Sequence, residues 1–239
     1  MFNVGVTGAR GRMGQRIIRL AKEEETLNVV LGLEKKGHPD IGKTIDGVII
    51  TDSQDEINSC DCLIDFSHPS ATIENLEYLL KFKKCAVIGT TGFNKDQLNK
   101  INEASKVIPI VFSPNMSVGV NLLFRLIKDA AATLNGYTAE IEEAHHIHKK
   151  DSPSGTAKRI MDVINEQNFN IKVEEIKAIR DGEIIGDHKV VFDSIDDRIE
   201  IIHKAKNRDI FAKGAVIAAK WIANKDKGLY SMDNVLFKS

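Results

Sequence analysis

Cysteine is scarce: Cys60, Cys62 and Cys85 are the only three in 239 residues. An odd number without a CxxC pair excludes a disulfide framework and a zinc ribbon. The apolar neighbours of all three mark them as reduced thiols in buried strands. Net charge is nearly absent too, since 33 basic residues stand against 34 acidic ones and the formal charge is −1. General attraction to nucleic acid or to an anionic membrane is thereby excluded, and any anion must be held locally. No apolar run approaches the length that spans a bilayer, and Met1-Phe2-Asn3-Val4-Gly5-Val6 shows no basic segment followed by an apolar stretch. A cytoplasmic protein is expected, with neither nucleic acid nor membrane as partner. Internal repeats, low-complexity tracts and an evident disordered tail are also missing. What is present is a 42% hydrophobic fraction, ample for a buried core.

The first half alternates short apolar runs with helical patterns. Strands are expected at 2–7, 27–33, 48–51, 62–66, 85–88 and 107–112, and helices at 11–21, 72–82 and 95–104. Continuous apolar strands between amphipathic helices predict a parallel sheet covered on both faces, a doubly wound α/β domain over 1–116. Beyond Ser113-Pro114-Asn115 the pattern changes. A longer helix over 117–134 leads into 137–145, where apolar and charged residues alternate as in a half-exposed strand, and similar strands are expected at 189–193 and 198–203. With a helix at 154–166 these predict a second α/β domain on an open mixed sheet, 117–206. The segment 207–239, helical over 209–223, is expected to return to the first domain.

Gly8-Ala9-Arg10-Gly11-Arg12-Met13-Gly14 follows the first strand directly and opens a helix. Glycines there allow a tight turn, close approach of a pyrophosphate to free helix N–H groups, and close helix–strand packing. Glu34, twenty residues after Gly14 at the end of the second apolar run, can accept hydrogen bonds from ribose hydroxyls. Lys35 and Lys36 could receive a 2′-phosphate beside it, so NADH and NADPH both fit. Gly89-Thr90-Thr91-Gly92 and Ser113-Pro114-Asn115-Met116-Ser117 sit at the carboxyl ends of expected strands, where such sheets bind ligands.

Glu142 to Lys158 gathers three histidines and three lysines around Ser152-Pro153-Ser154-Gly155-Thr156. If 139–145 is a strand, Ala139, Ile141, Glu143 and His145 share one face, and His146 turns to the other. Ser152 is expected to cap the following helix, whose N–H groups near Ser154, Gly155 and Thr156 can hold a carboxylate beside His146 and Lys149. Adjacent histidines diverge and no HExxH spacing is present, so no metal is expected. A solvated basic loop is the plain alternative. An anion pocket with a proton donor pairs better with the dinucleotide turn.

Glu143-Ala144-His145-His146, Lys149, Asp151 and Pro153-Ser154-Gly155-Thr156-Ala157 resemble the E(A/L)HHxxKxDxPSGTA signature of the 4-hydroxy-tetrahydrodipicolinate (dihydrodipicolinate) reductase family. The likeness extends to Val6-Thr7-Gly8, Gly11-Arg12-Met13-Gly14, Asp65-Phe66-Ser67, Gly89 to Phe93, Asn115 to Asn121, His203-Lys204-Ala205, Arg208 and Phe211-Ala212, in order. It implies an NAD(P)H-dependent oxidoreductase of lysine and diaminopimelate biosynthesis, usually a homotetramer, acting on a small cyclic dicarboxylate. His145 would be the catalytic histidine and Lys149 the proton donor, with His146, Lys149, Ser154, Gly155 and Thr156 on the carboxylates. The cofactor would meet Gly8, Arg10, Gly11, Arg12, Met13, Gly14, Glu34, Lys35, Gly89, Thr90, Thr91, Ser113, Pro114, Asn115, Met116, Arg208 and Phe211. Three features depart from the family: a short stretch between Val173 and Ile185, Lys35 where many members carry arginine, and Lys213 in place of a common asparagine. Two other readings compete: a related dehydrogenase of an amino-acid-derived substrate such as aspartate or homoserine, and a dinucleotide-sensing regulator that uses the basic cluster to bind a partner.

Overall fold

A computed structural model describes residues 1–168 and 170–237. The chain forms two compact units, residues 1–117 together with the chain from Phe211 onward, and Val118–Ile210. In order, the elements are β1 (Phe2–Thr7), α1 (Arg12–Lys22), β2 (Leu27–Leu33), β3 (Thr44–Ile45), β4 (Val48–Thr51), β5 (Cys62–Asp65), α2 (Pro69–Phe82), β6 (Cys85–Ile88), α3 (Lys95–Ser105) and β7 (Pro109–Phe112). Then come α4 (Val118–Thr133), β8 (Thr138–His145), α5 (Gly155–Gln167), β9 (Val173–Arg180), β10 (Asp187–Asp193), β11 (Arg198–Lys204), α6 (Asp209–Ile222), β12 (Gly228–Tyr230) and α7 (Met232–Leu236).

The first unit holds an eight-stranded sheet in the order β12-β7-β6-β5-β1-β2-β4-β3, parallel except for the β3–β4 pair. Its central strands are apolar on both faces because both are covered. In β5, Cys62 and Ile64 join one core with Ile17, Ile18, Ala215 and Ala219, while Leu63 joins a second with Leu76, Leu79 and Ile101. This is the two-residue period of a doubly wound sheet. Helix ends follow their local signals: Pro69 opens α2, and Asn94 with Gln97 forms a capping box at α3. Lys83 stops α2 in the left-handed region at φ 54°. Gly214 lies so close to the chain at Met116 that a Cβ there would stand 1.6 Å from the Met116 carbonyl oxygen.

The second unit is a four-stranded mixed sheet, β11-β10-β8-β9, antiparallel except for β8–β9. Ile127 of α4, with Ile160 and Ile164 of α5, packs with Ile141, Val190 and Phe192 from one face of the sheet. Charged pairs such as Lys189–Glu200 (2.8 Å) and Lys177–Glu142 (3.4 Å) occupy half-buried and exposed positions of the strands. The expected α/β class with a parallel and a mixed sheet is therefore present. β9 is an addition to the sequence reading: it is an edge strand whose Glu174, Glu175 and Lys177 are exposed, so no apolar alternation announces it. The cap of α5 also differs. Ser154, not Ser152, takes that position, and its hydroxyl accepts from the Ala157 N–H at 3.2 Å. No helix among the described residues is long and apolar enough to cross a membrane.

Candidate active site

The chain passes from β1 to β2 on one side of β1 and later to β5 on the other, so a crevice opens beyond their carboxyl ends. Its volume is about 580 Å3, and Gly8, Gly11, Glu34, Lys35, Phe66 and Ser67 are among its walls. Gly8 has φ +65°, and a Cβ on Gly14 would stand 2.1 Å from the Gly8 carbonyl oxygen, so α1 can start against the strand only with glycine there. Gly11 caps α1, leaving the first-turn N–H groups without a side-chain partner from the cap. The Glu34 carboxylate accepts from the N–H groups of Arg10 (2.8 Å) and Lys35 (3.2 Å). The Arg10 guanidinium is turned to Asp40 at 2.7 Å, and Lys43 and Arg10 together hold the Asp40 carboxyl below its usual range. This cradle suits a dinucleotide: free helix N–H groups for the pyrophosphate and an acid held in place for a ribose.

Behind the crevice, Asp65 is 2% exposed yet fully engaged. It accepts from the Ser67 N–H and hydroxyl, from Asn75, and from the Thr90 hydroxyl at 3.0 Å, locking the β5 and β6 loops together. Thr90 is thus committed to the scaffold, whereas Thr91 is exposed. A Cβ at Gly89 would run into the Phe66 ring at 2.2 Å. Ser113 is buried with its hydroxyl on the Asn115 carbonyl, Pro114 is exposed, and Met116 is buried in the core with its carbonyl against Gly214.

In the second unit, β8 places Glu143 and His145 on the buried face together with Ala139 and Ile141. Glu143 has no exposed surface, and its carboxylate accepts from the Arg180 guanidinium (2.8 Å), the Ser154 N–H (3.1 Å) and His145 Nδ1. Burial pushes its pKa up, but those three donors outweigh burial and hold it below the usual carboxylate range. Burial lowers the pKa of His145, partly offset by Glu143, and the charges of Lys149 and Arg180 push the same way. His145 is therefore neutral near pH 7, with Nδ1–H donated to Glu143 and Nε2 carrying the lone pair. Lys149 bonds Asp151 at 2.9 Å, which holds the Asp151 carboxyl low. The His145 carbonyl accepts from the Asp181 N–H and the Gly182 carbonyl from the Ile147 N–H, tying the loop after β8 to the end of β9. Among the described residues His146 is half-buried with Nδ1 unpartnered, and Gly155 opens α5 with none of them within 4 Å of a Cβ placed on it.

His145, Lys149 and the start of α5 are thus brought together, while Ser154 is buried and spends both its N–H and its hydroxyl on the scaffold. Arg208 belongs to the second unit and Phe211 to the first. Arg180 and His188 are residues to which the sequence reading gave no role, and His203 entered it only within the His203-Lys204-Ala205 motif. His188, 4% exposed on the face of Val190 and Phe192, reads in sequence as an ordinary core histidine.

The family model described as "Dihydrodipicolinate reductase, N-terminus" matches residues 2–116, and "Dihydrodipicolinate reductase, C-terminus" matches residues 119–236. The chain belongs to the dihydrodipicolinate reductase family. Curated relatives named 4-hydroxy-tetrahydrodipicolinate reductase include that of Syntrophotalea carbinolica, 40% identical over 99% of both chains. The protein of the same name from Aquifex aeolicus is 43% identical over 98% of both. Among solved structures, a dihydrodipicolinate reductase from Paenisporosarcina sp. TG-14 with dipicolinate bound has a TM-score of 0.85 at 24% identity, covering 99% of this chain and 100% of that one. An aspartate dehydrogenase from Thermotoga maritima shares the fold at a TM-score of 0.57 and 14% identity, over 92% of this chain and 96% of that one. The glycine turn and the histidine cluster of this chain thus lie one in each of the two matched segments.

Proposed function

We propose that the chain reduces 4-hydroxy-tetrahydrodipicolinate, through its dehydrated ring, to tetrahydrodipicolinate with NADH or NADPH, the reductase step of diaminopimelate and lysine biosynthesis. The observation that carries this reading is end-to-end similarity, at 40% and 43% identity, to relatives bearing that activity's name. The chemistry of the two candidate sites supports it. The first-turn N–H groups of α1 receive the cofactor's pyrophosphate, and Glu34 its ribose hydroxyls. Exposed Lys35 and Lys36 leave either cofactor admissible. Bound there, a reduced nicotinamide supplies the hydride.

A planar dicarboxylate suits the second unit's cluster. His146, Lys149 and the amino end of α5 at Gly155 and Thr156 offer positive charge and N–H donors to its carboxylates. Electron density that builds up on the ring is stabilised by the same cations, and the Lys149 ammonium is the proton donor. Neutral His145, oriented by Glu143, presents Nε2 as a hydrogen-bond acceptor or proton carrier toward the ring. The family resemblance also carries the expectation of a homotetramer.

Replacing His145 or Lys149 by alanine is expected to lower kcat by about 10²–10⁴, the usual worth of a positioned acid or base, with the cofactor Kd unchanged. Loss of reduced-nicotinamide absorbance with the cyclic substrate measures the first and cofactor fluorescence titration the second. Undiminished kcat in both variants would overturn the roles. Tight cofactor binding by the unaltered protein without any absorbance loss would overturn the activity.

A further inference from the structure

His145 is bordered by β10 as well as by Glu143. A Cβ at Gly186 would stand 3.1 Å from His145 Nε2 and 3.6 Å from His188 Cε1. The backbone of Gly186 lies outside the left-handed region, so space beside the ring, not conformation, is what calls for glycine. His188 pairs with Glu143 across the β8–β10 ladder. Its ring meets that of His145 edge to face, centroids 5.3 Å apart at 76°, and lies 6.4 Å from the ring of His203. It is 4% exposed, and neither of its nitrogens has a partner among the described residues. An unpartnered polar ring in the interior is costly, and an aliphatic side chain there would avoid that cost. What distinguishes the position is the ring it sets against that of His145.

We propose that His188 is a positioning residue: its ring backs that of His145 and keeps Nδ1 on the Glu143 carboxylate, while Gly186 leaves room beside Nε2. Any competing donor at this place would contend with His145 for Glu143. His188 does not, because neither of its nitrogens reaches a partner among the described residues, and burial, which pushes its pKa down to about 3, keeps it uncharged. The groups that set the protonation of His145 are then Glu143 on its own strand, Arg180 on β9, and Lys149 in the loop, with Asp151 bonded to Lys149. His188, lowered by burial against the pull of Glu143, and His203, lowered by burial against the pull of Asp187, complete the surroundings as neutral rings. The proposal rests on the functional reading above only in taking His145 as the group that faces the substrate.

The test is nitrogen NMR of histidine-labelled protein, titrated without substrate or cofactor, beside kcat and KM. In the unaltered protein His145 is expected to show a protonated Nδ1, a bare Nε2 and a pKa below 6.5. In His188→Ala that pKa is expected to rise toward 6.5 and the fixed tautomer to be lost, with kcat down about tenfold and cofactor KM unchanged. Gly186→Ala is expected to displace the same resonances by crowding Nε2, with kcat also falling. His188→Phe, which keeps a ring behind that of His145, is expected to leave the pKa of His145 low; it and Gly186→Ala decide the matter if His188→Ala fails to fold. An unmoved His145 titration in His188→Ala and Gly186→Ala, with only Tm lowered, would reduce His188 to a structural role. A raised pKa in His188→Phe would overturn the proposal. Since the titration needs no turnover, its outcome is separate from any failure of the reductase reading.

Discussion

At the scale of single residues, Glu143 organises the second unit's chemistry. A carboxylate with no exposed surface survives ionised there because Arg180, His145 and the Ser154 N–H all donate to it. Glu143→Gln keeps the shape but turns an amide N–H toward those donors. Unpairing a buried ion pair in this way is expected to cost about 3–5 kcal/mol, read by urea unfolding. Because Glu143 holds the pKa of His145 up against burial, the same change is expected to lower that pKa further, which imidazole NMR would record. The shared face of Glu143 and His145 is legible in sequence from the two-residue period of a strand. Arg180 is not, because it reaches Glu143 from a strand 37 residues away.

At the scale of elements, most boundaries are legible because apolar periodicity and cap chemistry coincide. Asn94 with Gln97 at α3 and Pro69 at α2 are examples. β9 escapes because an exposed edge strand of alternating charge buries too little to leave a pattern. The start of α5 is misread by two residues, since Ser152 and Ser154 are equally good caps in sequence and only the burial of Ser154 against Glu143 chooses between them. Helix α6 shows a constraint no helical pattern reveals. Its Gly214 looks like a weak spot, yet the carbonyl of Met116 occupies the space of a Cβ. Gly214→Ala, which elsewhere in a helix would stabilise, is here expected to destabilise by about 1–3 kcal/mol or more, a loss of urea midpoint with unchanged helical signal at low denaturant.

For the whole molecule, the histidines set how the fold responds to acid. His145, His188 and His203 all titrate below their ordinary 6.5 in the folded state, so an unfolded chain binds protons that the fold refuses. Stability from these groups is complete above pH 6.5 and declines as pH falls below it. For deeply buried His188 the slope is about 1.4 kcal/mol per pH unit until about pH 3 is reached. Glu143 and Asp151, both lowered, add a second loss below their unfolded values of 4.5 and 3.8. Urea unfolding free energy is therefore expected to fall between about pH 7 and about pH 5, and His188→Phe to flatten that slope by close to one proton. An unchanged slope would show that His188 does not titrate differently on unfolding.

The sequence by itself determined the parallel α/β unit, the mixed second sheet, the glycine turn with Glu34, and the face shared by Glu143 and His145. Each of these rests on local spacing, which a period of two or 3.6 residues or a turn's glycine carries within a short window. Tertiary structure alone decided that Arg180 neutralises Glu143, that Ser154 is spent on the scaffold, and that Gly186 and His188 border the His145 ring. Those contacts join strands and loops far apart in the chain, and no local pattern encodes which buried polar group will find which partner.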